Sequence, residues 1–331
     1  MPENMIESRG LRRIYKTKKE EIEAVRGVDF TVDAGEIVGF LGPNGAGKTT
    51  TLRMLTTLLE PSGGDATVAA CDLRTDPVGV RRGIGYVAQG GSTDPEARAG
   101  EEIVDHARMY GIDAKVAQVN GQSLFDQLDL EGLWARQCKT LSGGQRRRLD
   151  IAMGLVHQPR LVFLDEPSTG LDPQSRANLW EHVGRLRSEM DTTVFITTHY
   201  MDEADLLCDR ILVIDDGAIV AQGTPDDLKR RVAGDSVILS FEQQRSTVVV
   251  AELVSRLDGA TDPSIEGNEV RFQVPDGASA LPVLLRAMVE HDLDATGVEV
   301  HRPTLDDVFL TMTGRSLRDE AMAGTTDQAA A

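Results

Sequence analysis

The sequence predicts an α/β protein, a parallel sheet flanked by helices, with a small α+β domain after it. Three observations predict it. Residues 36–41 (EIVGFL) form a short apolar run that enters Gly42 directly, and helical spacing begins after Lys48. Strand-like runs at 161–164, 193–197 and 210–214 alternate with helix-like stretches, the pattern of parallel strands joined by crossovers. Beyond Gly234 the composition changes: residues 235–331 hold 17 acidic and 7 basic residues and no lysine.

Taken in order, residues 5–35 read as short strands with a turn from Asp33 to Gly35. The 36–41 run suits a strand buried on both faces. Leu52, Leu55, Leu58 and Leu59 then fall on one helical face, and Pro61 with the Ser-Gly-Gly after it ends the helix. Residues about 96–158 read as mainly helical. Helix-like stretches at 174–190 and 201–208 separate the later strands. The last part reads strand (237–241), helix (247–257), strand (269–274), helix (281–291) and strand (297–301), an order suited to a small sandwich. Residues 319–331 are small and polar and are expected to be disordered.

Across 331 residues, 40% hydrophobic and 27% charged content is ordinary for a soluble globular chain. The net charge of −18 argues against nucleic acid as a main partner, because binding a phosphate backbone needs cationic surface. Cys71, Cys138 and Cys208 lie far apart with no C-x-x-C pair, which argues against disulfides or a zinc site and for a reducing compartment. The start of the chain lacks a basic-then-apolar signal segment, and no apolar run approaches the roughly 18–20 residues of a spanning helix. The chain is therefore expected not to cross a membrane by itself.

Gly42, Pro43, Asn44, Gly45, Ala46, Gly47, Lys48 and Thr49 match G-x-x-x-x-G-K-S/T between a strand and a helix. Such glycines let backbone N–H groups converge on phosphate oxygens at a helix N-terminus, with Thr50 next along the turn. The same chemistry puts Lys48 on β- and γ-phosphates and the Thr49 hydroxyl on Mg2+. The loop alone does not choose among kinases, GTPases and ATPases. Residues 161–166 (LVFLDE) are an apolar strand ending in two carboxylates, at the mouth where open α/β sheets bind ligands. Asp165 is read as holding Mg2+ and Glu166 as polarising an attacking water.

Leu141, Ser142, Gly143, Gly144 and Gln145 resemble the signature of ABC ATPases, and they lie upstream of the acidic strand as that family requires. Ser142 and the two glycines open a helix beginning near Arg146, a second anion-binding helix end. Leu149, Ala152, Met153 and Val156 then share one face as core. The resemblance implies a P-loop NTPase cassette over residues 5–230, with a RecA-like core and a helical subdomain at about 96–158, followed by an accessory domain at 235–315. It implies that Gln89 is the Q-loop glutamine that senses Mg2+ and water and faces a membrane partner. It likewise implies a D-loop at 168–172 with Leu171 and Asp172, a switch histidine at His199 that contacts the γ-phosphate, and an adenine-stacking ring at Tyr15. One stretch departs from the family: after Gln89 an Asp94-Pro-Glu run stands where a Leu-Thr pair is common.

The RRRLD run from Arg146 to Asp150, and residues 304–314, look like daunorubicin-resistance-type drug or lipid exporters. Residues 304–314 also read as an amphipathic helix with Leu305, Val308, Phe309 and Met312 as core. The resemblance implies a catalytic set of Lys48, Gln89, Glu166 and His199, with ATP and Mg2+ as ligands. Its implied partners are a second copy of the cassette and a separate integral-membrane permease, at the cytoplasmic face of the membrane. The alternative is an ABC ATPase acting on ribosomes or in DNA repair, which a single cassette without sustained heptads, and its acidity, disfavour.

Overall fold

The computed structural model describes residues 4–16, 20–232, 234–261 and 263–314, so the tail expected to be disordered at 319–331 lies outside the described residues. Two compact units divide the chain, the first ending at Thr224 and the second beginning at Pro225. In chain order the first runs β1 (Asn4–Lys16), β2 (Glu21–Asp33), β3 (Ile37–Leu41), α1 (Lys48–Leu55), β4 (Gly63–Val68), β5 (Cys71–Asp72), α2 (Pro77–Gly83) and β6 (Ile84–Val87). It continues with α3 (Ala99–Met109), α4 (Ala114–Gln127), α5 (Gly143–Leu155), β7 (Leu161–Asp165), α6 (Pro173–Met190) and β8 (Thr193–Thr198). It closes with α7 (Met201–Leu207), β9 (Arg210–Asp215) and β10 (Ala218–Gly223).

The main sheet has the order β10-β9-β3-β8-β7-β6. All its pairs are parallel except that of the edge strand β10 with β9. Every residue of β3, β7 and β8 is buried, which is why these strands read as nearly unbroken apolar runs. Parallel pairing brings all their C-terminal ends to one edge: Leu41 stands opposite Thr198, and Asp165 opposite Thr197. The loops that leave this edge carry Gly42, Gln89, Glu166 and His199.

Phe30, Phe40, Phe163 and Phe195 pack under this edge with ring centroids 5.5–6.1 Å apart. A second, antiparallel sheet of order β2-β1-β4-β5 supplies Phe30 to that cluster. Its first two strands are 13 residues each, not the short strands expected. Irregular register between Ser8 and Leu11, and between Arg13 and Ile14, breaks the alternation, so each long strand reads as fragments.

Helix α1 ends at Leu55, a turn earlier than the leucine spacing implies. Thr56 turns its hydroxyl back onto Leu52 O at 2.9 Å, Thr57 takes a φ of 62°, and Leu58 is left 58% exposed. In the helical stretch, α3 packs on α4 and α5. Gly100 is required there, because a Cβ at that position would stand 2.2 Å from the Trp134 ring.

The second unit runs α8 (Pro225–Val232), β11 (Asp235–Ser240), α9 (Gln244–Val254), β12 (Ser264–Glu266), β13 (Glu269–Val274), α10 (Gly277–Glu290), β14 (Gly297–His301) and α11 (Leu305–Thr313). Its sheet is antiparallel, in the order β12-β13-β11-β14. Val237, Leu239, Val270 and Phe272 from the strands meet Val250, Val254, Leu284 and Met288 from α9 and α10. In α11, Leu305, Val308 and Phe309 are buried, but Met312 is 39% exposed. Gly314, left-handed, ends the helix just after it, so the apolar face is a turn shorter than the spacing predicts.

The aromatic cluster packs the antiparallel sheet against the main sheet. Phe195→Ala should destabilise the protein by about 3–5 kcal/mol in denaturant unfolding. A loss under about 1 kcal/mol would show that the cluster relaxes around the gap.

Candidate functional site

The loop between β3 and α1 is shaped by backbone. Gly45 and Gly47 take φ of 83° and 105°, and a Cβ on Gly47 would stand 2.6 Å from Ala24 O. Gly42 N donates to Thr198 O at 3.3 Å and Ala46 N to Pro43 O at 3.3 Å. Asn44 and Gly45 are exposed, while Pro43, Ala46 and Gly47 are buried. No side chain caps α1. Its first N–H groups therefore remain available to an anion, and Thr49 and Thr50 stand half-buried in its first turn.

Lys48, 4% exposed, folds back into this turn. Its ammonium donates to Gly42 O at 2.9 Å and Pro43 O at 3.0 Å and lies 3.3 Å from Glu166 Oε1. Burial pushes its pKa down, against the upward pull of Glu166 and Asp165. Glu166 follows β7 with a left-handed φ of 43°, pinned by its N–H, which donates to Thr197 O at 3.1 Å and Thr197 Oγ1 at 3.0 Å.

The second oxygen of Glu166 gathers the other groups. Gln89 Nε2 donates to Oε2 at 2.9 Å and Thr169 Oγ1 at 3.2 Å. His199 Nδ1 lies 3.4 Å away, close enough for charge attraction but without hydrogen-bond geometry. Burial pushes the Glu166 carboxyl up, but His199 and Lys48 overcome this and bring it down to about 2. Asp165, 2% exposed, accepts from Thr197 Oγ1 at 2.7 Å and from Thr49 Oγ1 at 3.3 Å.

The structure thus brings Lys48, Thr49, Gln89, Asp165, Glu166 and His199 together. Leu141, Ser142, Gly143, Gly144 and Gln145 stand apart from them. Helix α5 starts at Gly143, ahead of the expected Arg146, because Ser142 and Gln145 cap each other: Gln145 N donates to Ser142 Oγ at 3.2 Å and Ser142 N to Gln145 Oε1 at 3.0 Å. Leu141 is buried beneath this turn. Asp172 caps α6 by accepting from Ser175 N at 2.9 Å, and the Ser175 hydrogen bonds hold its carboxyl below the usual range. Ser142, Gly144, Gln145 and Asp172 line one hollow of about 230 Å³, and Leu171 is the nearest neighbour to a Cβ on Gly143. Among the described residues no hydrogen bond or ion pair joins the 142–145 turn to the Lys48–Glu166 cluster. Tyr15 lies near the end of β1, opposite Ile22, with the Arg13 guanidinium 4.8 Å over its ring.

Two residues of the site were not singled out from the sequence. Thr197 bridges Asp165 and the Glu166 amide, and in the sequence it is one of three threonines in a buried strand, with nothing to set it apart from Thr193 and Thr198. Glu203, fully buried, accepts from Trp180 Nε1 at 3.1 Å and from Thr198 Oγ1, so it holds the strand end just before His199.

Residues 25–169 match the family model described as ABC transporter, and 223–313 match the C-terminal domain of ATP-binding proteins like DrrA1-3. The doxorubicin resistance ATP-binding protein DrrA of Mycobacterium tuberculosis is 39% identical over 308 residues, 92% of each chain. The daunorubicin/doxorubicin resistance ATP-binding protein DrrA of Streptomyces peucetius is 40% identical over 97% of this chain and 96% of its own. The Nod factor export ATP-binding protein I of Burkholderia lata is 37% identical over 96% of this chain and 100% of its own. Among solved structures, a dimeric bacterial ABC transporter cassette superposes with a TM-score of 0.61 at 25% identity, over 66% of this chain and 98% of that one. The cbiO1 subunit from Clostridium perfringens does so with a TM-score of 0.61 at 26% identity, over 69% and 94%.

The pairing of Glu166 sets a pH dependence. Its folded pKa lies below the unfolded one, so the ionised carboxylate stabilises the fold above the unfolded value and that contribution is lost as pH falls through the folded value. Urea unfolding of wild type and Glu166→Gln should show the wild type's relative stability declining between pH 4.5 and about 2. A difference that stays constant across that range would contradict the charge pairing.

Proposed function

We infer, from the premise that this chain belongs to the daunorubicin-resistance-type ATP-binding proteins of ABC transporters, that two copies close around two ATP molecules and drive a separate integral-membrane permease. The chain is an ATPase, and the exported class in this reading is drug or lipid. The relatives' resistance and export names favour transport over a ribosomal or DNA-repair role. In this reading residues 5–230 are the cassette and 235–315 an accessory domain. No helix among the described residues is long and apolar enough to cross a membrane. Attachment to the cytoplasmic face would therefore run through the permease.

One observation carries the two-copy reading. Capping at the 142–145 turn uses the N–H groups of Ser142 and Gln145 and leaves those of Gly143 and Gly144 without a partner among the described residues. These donors head a 13-residue helix and have no link to the chain's own phosphate loop. A helix end of this kind has use for an anion. The γ-phosphate of ATP held by a second copy is such an anion, and the Leu171–Asp172 segment beside the turn would line the same contact.

Within one copy, Lys48 now spends its donors on Gly42 O, Pro43 O and Glu166. A triphosphate entering the loop offers stronger acceptors, so Lys48 turns to the β- and γ-oxygens while amides from Asn44 to Thr50 receive the rest. Without Lys48 the Glu166 carboxyl rises from its depressed value and becomes a better base for the attacking water. Gln89 and His199, already on its Oε2 side, orient that water and the γ-phosphate. Thr49 and Asp165 offer adjacent hydroxyl and carboxylate oxygens, a donor set suited to a hard cation. They would hold Mg2+ with Gln89 nearby, and Mg2+ when bound offsets phosphate charge. The half-buried Tyr15 ring would stack on adenine.

Glu166→Gln should bind ATP, form a lasting dimer on a sizing column in ATP, and turn over at least about 100-fold more slowly. Hydrolysis by the Glu166→Gln variant at the wild-type rate would remove Glu166 from this role.

A further inference from the structure

Helix α5 carries a buried cation whose donors all end on backbone. Arg147 is 7% exposed. Its Nε donates to Pro167 O at 2.8 Å, one terminal nitrogen to Ala88 O at 2.6 Å and the other to Asp165 O at 3.1 Å. Ala88 precedes Gln89, and Asp165 and Pro167 flank Glu166. One turn along the helix, Asp150, 4% exposed, accepts from Ser92 N at 3.0 Å, with its other oxygen 4.0 Å from Arg147. The two side chains grip the 88–92 segment at both ends: the cation takes a carbonyl before Gln89, and the anion takes an amide after it.

This arrangement is costly as mere filling. Burying a guanidinium carries a desolvation penalty that apolar side chains of like volume avoid. What it provides is geometry, since the planar fork fixes its acceptors in relative position. The same helix presents Gly143 and Gly144 at its N-terminus, one turn before Arg147.

We propose that Arg147 and Asp150 are positioning residues that lock the signature helix to Gln89 and Glu166 of the same chain. Resting on the two-copy reading, the lock has a further consequence. The helix end engages one ATP, while Gln89 and Glu166 serve the other. Phosphate contact at one site therefore sets the placement of the groups that act at its twin, and the two sites hydrolyse cooperatively.

The test compares full-length wild type, Arg147→Met, Arg147→Lys and Asp150→Asn for ATP binding, turnover and its steepness in ATP. Arg147→Met should bind ATP within about threefold of wild type, lose at least about tenfold in kcat, and drop from a Hill coefficient approaching about 2 to about 1. Arg147→Lys, with a point charge in place of the fork, and Asp150→Asn, which keeps an acceptor for Ser92 N, should fall between. A purely structural role would lower Tm and ATP binding together while leaving kcat per folded chain and steepness unchanged, and that result overturns the proposal. Should Arg147→Met fail to fold, a folded Arg147→Lys decides: wild-type kcat and steepness overturn the proposal, while reduced kcat with retained ATP binding supports it. A wild type that stays monomeric in ATP with a Hill coefficient of about 1 would defeat the two-copy reading instead. The kcat comparison would still decide the lock within one chain.

Discussion

Lys48 and Glu166 stand 3.3 Å apart with only 4% and 8% of their side chains exposed. At that depth each offsets the other's desolvation, with Asp165 also acting on Lys48 and His199 on Glu166. Their meeting depends on distances set far away in sequence. Lys48 opens α1 after β3, Glu166 follows β7, and β8 lies between those strands in the sheet. The register that puts Leu41 opposite Thr198 and Asp165 opposite Thr197 is what lets the two charges find each other. A slip of any of these strands would bury an unpaired charge, so the pair enforces the register as much as it profits from it.

The pair also explains the poise of the site. The lysine offsets the charge of the carboxylate that the proposed reaction needs as a base, and the carboxylate engages the lysine that the proposed reaction needs on phosphate. Each is held in reserve by the other. The Gly143–Gly144 turn lies on a separate helix, which is hydrogen-bonded to the segments around Gln89 and Glu166 through buried Arg147 and Asp150. One chain therefore holds the Lys48 loop and the 142–145 turn with no hydrogen bond or ion pair between them among the described residues, and the two-copy reading starts from that separation.

Much of this was legible in the sequence, for identifiable reasons. The glycine loop, the acidic strand end and the 141–145 run are contiguous, so their chemistry survives without knowledge of the fold. The parallel strands read clearly because burial on both faces confines polar residues to their ends. What escaped depends on partners distant in sequence or on a local bond that competes with the pattern. Leu58 matched a helical face that the Thr56 hydroxyl closes off a turn earlier. The strands β1 and β2 hid their length behind register shifts, and β12 carried no signal because all three of its residues are exposed. Thr197 and Glu203 look ordinary until the sheet brings them to Asp165 and to the strand end before His199. Arg147 was visible only as part of the RRRLD run that carries the family likeness, since its acceptors are backbone atoms that no sequence pattern displays.

The central claim is that one copy holds ATP and two are needed to hydrolyse it. It is tested most directly by measuring ATP turnover per chain over a wide range of chain concentrations, with sedimentation reporting the fraction of dimer. Turnover per chain should rise with concentration in step with the dimer and fall away as the chain becomes monomeric. Turnover per chain that stays constant down to concentrations where only monomer sediments would contradict it.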